Sequence, residues 1–318
     1  MAEAEISQKI IPHLWFDKEA REAAEFYVSA FGENSHFTSS TILHETPSGN
    51  AESVEFELLG YKFIAISAGP MFKINPSISF MVNFDPSRID DAPEKLDALW
   101  GQLSEGGKVL MPLQKYPFSE RYGWIQDRFG VSWQLILTDP KGDPRPEIIP
   151  SLLFVGDVCG KAEEATDLYI SLFPDSERGG LTRYPAGMAP DREGDLMFTD
   201  FKIAGEWFAA MDSAQDHDFQ FNEAISLMVL CENQEEIDEY WEKLTAVPEA
   251  EQCGWLKDRY GVSWQIVPKQ LGEMMTQGTR EQVNRVTQTF MPMKKLIVSE
   301  LQQAFEGAAT ESGVPLDE

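Results

Sequence analysis

The feature that most constrains the fold is an internal echo. Residues 123–137 read GWIQDRFGVSWQLIL and residues 254–268 read GWLKDRYGVSWQIVP, identical at nine of fifteen positions. An echo of this length means tandem duplication. Each copy reads as a hairpin: a strand carrying the Trp, an Asp-Arg-aromatic-Gly turn, and a second strand alternating Val, Trp and Leu or Ile with Ser and Gln. Asp at the first turn position bonds its own backbone and Gly accepts the chain reversal, so Asp127 and Asp258 read first as turn residues.

Duplication divides the 318 residues into two domains, each large enough for its own core. A net charge of −27, from 53 acidic and 26 basic residues, argues against nucleic-acid or anionic-membrane partners, which such a surface repels. Cys159, Cys231 and Cys253 are too few and too scattered for a disulfide framework or a thiolate metal site, which suits a reducing cytoplasm. The opening residues show no basic region followed by an apolar run. No window approaches the roughly eighteen apolar residues of a membrane span, so a cytoplasmic location is expected.

Strand patterns at Ile10–Phe16, 36–44, 53–59 and Tyr61–Ser67, with a helix at 18–31, make a βαβββ unit. A second unit follows: a strand at Ile78–Phe84, a helix whose Asp91-Ala-Pro-Glu94 reads as a capping box, and strands at 108–113, 122–126 and 131–137. The first domain spans 6–138, a Pro-rich linker 139–147, and the second domain 148–270. In the second domain the span from Leu244 to Gly254 is half that from Leu103 to Gly123, so one strand there is lost or shortened. Residues 271–307 carry amphipathic helices expected at Arg280–Phe290 and 293–305, and 308–318 reads as an acidic tail.

Serial βαβββ units resemble the vicinal oxygen chelate superfamily, which holds glyoxalase I, extradiol dioxygenases and bleomycin-resistance proteins. The nearer resemblance is to its PhnB-like branch. It is carried by Pro12-x-Leu14-x-Phe16, the helix ending Phe26-Tyr27 to Phe31, the hairpin motif twice, and the Met293-Lys294-Lys295 to Leu301 and Ala304 segment. The resemblance implies an α+β fold of paired βαβββ units forming half-open barrels, in two tandem domains with C-terminal helices. Members of the branch are often labelled 3-demethylubiquinone-9 3-methyltransferase. No G-x-G-x-x-G or similar cofactor loop of the common methyltransferases occurs in the chain. In homodimeric relatives the units pair across subunits; a fused tandem either meets that pairing within one chain or dimerises again.

The superfamily often holds one divalent metal, with ligands from strands on the concave face. Where its pattern ends the last strand in Glu, this chain has Gln134 and Gln265; where it starts a strand with His, this chain has Ser77 and Ala224. A Gln, one His and aliphatic positions do not satisfy zinc or magnesium, so no metal or other cofactor is expected. The alternative is a divalent metal in the first domain held by His13 and Gln134 with Glu55 or Glu57, with His36 and His44 converging from adjacent strands.

By strand parity, His13 and Trp15 share one face; if Gln134 faces the cavity, so do Ser132 and Ile136, and Trp133 packs beneath as core, Trp264 likewise. Tyr116, Phe118 and Trp124 offer an aromatic wall, and Ser77 completes the cavity candidates. The reading is a protein binding a small organic molecule in the first domain, the second being largely its structural partner. The competing readings are a metal-dependent glyoxalase-like or dioxygenase-like enzyme, and a scaffold dimerising through its C-terminal helices.

Overall fold

A computed structural model of the chain describes residues 8–46 and 48–307. The tail at 308–318 and the first residues of the first domain lie outside them. Unit one holds β1 (Ile10–Phe16), α1 (Ala20–Phe31), β2 (His36–Thr46), β3 (Gly49–Leu58) and β4 (Tyr61–Ser67). Unit two holds β5 (Ile78–Phe84), α2 (Ala92–Ser104), β6 (Lys108–Tyr116), β7 (Ser119–Gln126) and β8 (Ser132–Leu137). Unit three holds β9 (Ile148–Phe154), α3 (Ala162–Leu172), β10 (Glu177–Arg183), β11 (Leu196–Ile203) and β12 (Glu206–Asp212). Unit four holds β13 (Ile225–Cys231), α4 (Gln234–Leu244), β14 (Trp255–Lys257) and β15 (Ser263–Pro268). Three helices follow: α5 (Lys269–Gln277), α6 (Arg280–Phe290) and α7 (Val298–Glu306).

The units do not close their sheets within their own halves. One seven-stranded sheet runs β14-β15-β13-β1-β4-β3-β2, and an eight-stranded sheet runs β10-β11-β12-β9-β5-β8-β7-β6. Each joins a first unit of one half to the second unit of the other, through the antiparallel pairs β1 with β13 and β5 with β9. These junction strands are apolar along nearly their whole length, IIPHLWF against ISLMVLC and ISFMVNF against IIPSLLF. Strands buried on both faces read this way because both sides must exclude water. The half-open barrels are thus completed inside one chain.

One continuous core runs between the two sheets and joins both halves. In the first, Phe63 of β4 and Phe80 of β5 have ring centroids 5.0 Å apart, and Trp133 packs on Tyr27 at 5.3 Å and Phe31 at 5.0 Å. Asp127 does more than shape its turn. Its Oδ1 accepts from the backbone N–H of Phe129 at 2.8 Å and Val131 at 3.1 Å, and its Oδ2 accepts from Tyr27 Oη and Trp133 Nε1, both at 2.8 Å. Asp258 repeats the arrangement with Tyr260, Val262, Tyr169 and Trp264. The duplicated hairpin is therefore a clamp that ties the last strand of a half to its first helix. Trp133 and Trp264 are fully buried, as parity predicts.

Gly123 at the head of the motif is fixed by packing. A Cβ there would lie 2.5 Å from Cζ3 of Trp100 on α2. Gly123→Ala is expected to cost about 1–3 kcal/mol through displacement of the indole, read from urea unfolding midpoints; an unchanged midpoint would show that Trp100 has room to move.

The sequence expectation differs from the structure at several places. Asp91 has φ 54° and makes no side-chain cap bond, so the capping box at α2 does not form; Asn233 does cap α4, accepting from Glu236 N–H. β10 carries Arg, two Gly and Thr, too polar and flexible for a strand pattern, yet it pairs with β11. α5 was not expected, and α7 starts at Val298 rather than 293. Unit four has no counterpart of β6 among the described residues. In its place the C-terminal segment docks, with Cys253 and Gly254 N–H donating to the carbonyls of Met293 and Lys294 at 2.7 Å. Val286, Leu296 and Leu301 are buried in a small core with Val267 and Met274, against which Phe290 and Phe305 pack partly buried. No described helix is long and apolar enough to cross a membrane.

Candidate functional site

A cavity of about 800 Å³ lies over the face of the seven-stranded sheet that carries Ile11, His13 and Trp15. Register places Ile64 and Ile66 of β4 beside His13 and Trp15, Glu55 of β3 beside Ile64, and Met228 of β13 beside Ile11. Direct cross-strand partners share a face, which makes this row the floor. Leu271 and Met275 of α5 and Phe290 of α6 also line the cavity. The second half therefore supplies one side of the floor and the C-terminal helices, and the cavity is not confined to the first half.

His13 is 5% exposed, and its imidazole makes no hydrogen bond to any described residue; Nδ1 is sealed without a partner. Burial alone pushes its pKa down to about 4, so the ring is neutral near pH 7. Its ring stands at 90° to Trp255, centroids 5.5 Å apart. Trp15 donates through Nε1 to the Gly69 carbonyl at 2.7 Å and lies near-perpendicular to Phe72 at 5.1 Å and to Trp255 at 6.2 Å. Gln265, also in the lining, donates to Ser226 Oγ at 2.9 Å.

Of the residues singled out from sequence, His13 and Trp15 meet in this cavity and Glu55 and Glu57 line it. Gln134, Ser77, Tyr116, Phe118 and Trp124 do not join them, because units one and two lie in different sheets. Gln134 accepts from Tyr122 Oη at 2.7 Å and donates to Ser79 Oγ at 2.8 Å. Trp124 donates to Ser132 Oγ, and Ser77 N–H is taken by Asn75 Oδ1. Tyr116 and Phe118 stack with centroids 5.7 Å apart against Tyr122, at the outer hairpin of the eight-stranded sheet. The residues that meet His13 are their counterparts in the second copy, Trp255 and Gln265. Sequence reasoning missed these, although the duplicated motif names both residue types.

The residues named for a metal do not come together: Gln134 lies in the other sheet from His13. His36 faces Glu57 with Nε2 to Oε2 at 3.8 Å, and His44 contacts Asn50 at 3.1 Å; both sit on edge strand β2, three places from β1. Among the described residues no three His, Cys, Asp or Glu side chains come together as a metal site. The face of His13 offers one imidazole, a Gln already bonded to a Ser, isoleucines, and the Glu55 carboxylate two strands away, roughly 10 Å by strand spacing, a donor set too dispersed to surround a hard or borderline divalent ion.

Sheets of paired βαβββ units with a cavity over one face define the glyoxalase-like, vicinal oxygen chelate fold. The family model described as 3-demethylubiquinone-9 3-methyltransferase matches residues 8–136 and again 146–267, and the chain belongs to that family, the PhnB-like branch. Among solved structures, the PhnB protein from Bacillus cereus is 34% identical over 41% of this chain and 100% of its own, with a TM-score of 0.36. Protein PA1353 from Pseudomonas aeruginosa is 25% identical over 42% of this chain and 98% of its own, TM-score 0.33. Glyoxalase I from Zea mays is 10% identical over 80% of this chain and 89% of its own, TM-score 0.48. No curated protein matches.

Proposed function

We propose that the chain binds a small, largely apolar organic molecule in the cavity over the seven-stranded sheet. The observation that carries this reading is the cavity itself, about 800 Å³, floored by isoleucines and Met228 and walled by Trp15, Phe72 and Trp255. A concave, mainly apolar space of a few hundred Å³ with few polar groups suits a small organic ligand. The neutral His13 is one of those polar groups: its Nδ1 is sealed, and its Nε2, without a partner among the described residues, leaves a hydrogen bond to be made. Binding takes place within the cell on this reading, and one chain suffices, since both sides of the floor come from it.

The family description names methyl transfer, but little here supports it. Of the four strand-to-helix loops of the units, the one bearing glycines runs from Val155 to Lys161. Its Gly160 N–H, with that of Ala162, already donates to Asp212 Oδ1. A phosphate or cofactor carboxylate would need those amides free.

The test is titration with N-phenyl-1-naphthylamine, a neutral probe that fluoresces in apolar surroundings. The native chain is expected to enhance its fluorescence with micromolar affinity, and Ile66→Trp, which fills the floor, to weaken it roughly tenfold or more. No enhancement with the native chain, or equal enhancement with Ile66→Trp, overturns the reading. Protein purified without chelators is expected to carry no stoichiometric manganese, zinc, nickel or iron; a stoichiometric metal lost in His13→Ala would restore the enzyme reading.

A further inference from the structure

Resting on the cavity reading above, we infer that its ligand is an organic cation, an ammonium carried on an apolar or aromatic body, held at the corner of Trp15, Phe72 and Trp255. Trp15 stands at 78° to Phe72 and at 79° to Trp255, with centroids 5.1 and 6.2 Å away, and all three rings line the cavity and are half-buried. Rings set at steep angles around a shared space present several π-surfaces to one guest. That is the arrangement that attracts an alkylated ammonium, whose charge is spread over its methyl groups and is weakly hydrated.

The charges around the corner favour the same guest. Glu55 lies on the cavity floor two strands from His13, roughly 10 Å by strand spacing, and takes no hydrogen bond or ion pair from any described residue. The lysines of the lining are already met by carboxylates: Lys62 faces Glu57 at 4.0 Å, and Lys269 pairs with Glu232. Glu223 of the lining is held by Lys257 at 2.8 Å, which leaves Glu55 as the half-buried carboxylate with its charge uncompensated. His13, neutral at pH 7, adds no positive charge to repel a cation. The chain's net charge of −27 draws cations toward the mouth from a distance.

The experiment compares three soluble probes of one shape: 3-hydroxyphenyltrimethylammonium, its neutral isostere 3-tert-butylphenol, and the anion 3-hydroxybenzenesulfonate. Each is measured by calorimetry and by displacement of N-phenyl-1-naphthylamine. The cation is expected to bind at least about tenfold tighter than the isostere and the anion weakest. Trp15→Leu and Trp255→Leu are expected to remove the preference for the cation. Glu55→Gln is expected to weaken the cation about threefold and flatten its salt dependence without changing binding of the phenol. A phenol that binds as tightly as the cation overturns the inference and leaves the cavity reading standing. If none of the three probes binds and the naphthylamine also fails, the cavity reading falls with it. The ratio of cation to isostere in the native chain is decisive even where a variant does not fold, and retained naphthylamine binding shows which variants do.

Discussion

Asp127→Ala is expected to lower the unfolding free energy by about 3–5 kcal/mol, a large fraction of the stability of a domain this size. The carboxylate accepts four hydrogen bonds, two from its own turn and two from Tyr27 and Trp133. Removing it leaves a phenol O–H and an indole N–H without partners in a core where Tyr27 and Trp133 are both fully buried. Each such orphan costs about 1–3 kcal/mol, and the turn loses its local bonds as well. Burial pushes the Asp127 carboxyl up to about 6 against the pull of those four donors, so desolvation outweighs them. Asp127→Asn should cost less, about 1–3 kcal/mol, because one oxygen remains for the turn while the indole meets an amide that cannot accept from it. Urea unfolding followed by tryptophan fluorescence reads both. Equal midpoints for Asp127→Ala and the native chain would mean that the clamp contributes nothing beyond turn geometry. Asp258→Ala is expected to behave alike, since Asp258 repeats every bond.

Stability should also fall as pH rises from about 4.5 to about 8, and Glu206→Gln should abolish that part of the dependence. Glu206 begins β12, and its Oε1 accepts from the backbone N–H of Lys9 at 2.6 Å and Ile10 at 2.9 Å, where the first half meets the second. Its Oε2 is buried without a partner, as is the hydroxyl of Tyr61, its counterpart on β4. Burial, the largest influence, raises its pKa from 4.5 to about 8 despite the two amides and nearby Lys9. A carboxyl whose folded pKa is raised holds its proton in the folded chain while the unfolded chain has released it. Its contribution is therefore complete below the unfolded value and is lost as pH climbs toward the folded one. Three and a half pH units correspond to at most about 5 kcal/mol, and water reaching the carboxyl would reduce this. Glutamine keeps the acceptor for Lys9 and Ile10 and cannot ionise. The difference between native and Glu206→Gln unfolding energies should thus narrow toward acid and widen toward pH 8. A difference independent of pH would show that Glu206 is ionised in the folded chain throughout.

Much of the architecture was legible in residue order. Strands at Ile10–Phe16, Tyr61–Ser67 and Ile78–Phe84 have the bounds expected of them, because short apolar runs or alternations bounded by turn residues carry their pattern locally. β10 was not legible, since an edge strand rich in Gly and Arg draws its stability from pairing with β11 rather than from its own side chains. The Asp91 cap failed because a left-handed backbone at that residue turns the side chain from the helix amides.

The site divides in the same way. Residue types were visible: an aromatic strand and a Gln on the last strand lie in the duplicated pattern, and a His lies on the first strand of one copy, where the other has Ser151. What residue order could not decide was which copy meets which. A strand's hydrogen-bonding edge has no memory of its half, so β1 satisfies its ladder equally well with β5 or with β13 as far as composition tells. The sequence by itself determined the four units, their internal order, the two turn aspartates and the core tryptophans, because these rest on local periodicity and turns; that the aspartates also hold Tyr27 and Tyr169 was decided by the tertiary structure. Only the tertiary structure decided that β1 pairs with β13, that His13 meets Trp255 and Gln265 rather than Trp124 and Gln134, and that the C-terminal helices line the resulting cavity. Those outcomes depend on contacts between residues more than two hundred positions apart, where burying the most apolar surface with every backbone group paired selects one arrangement.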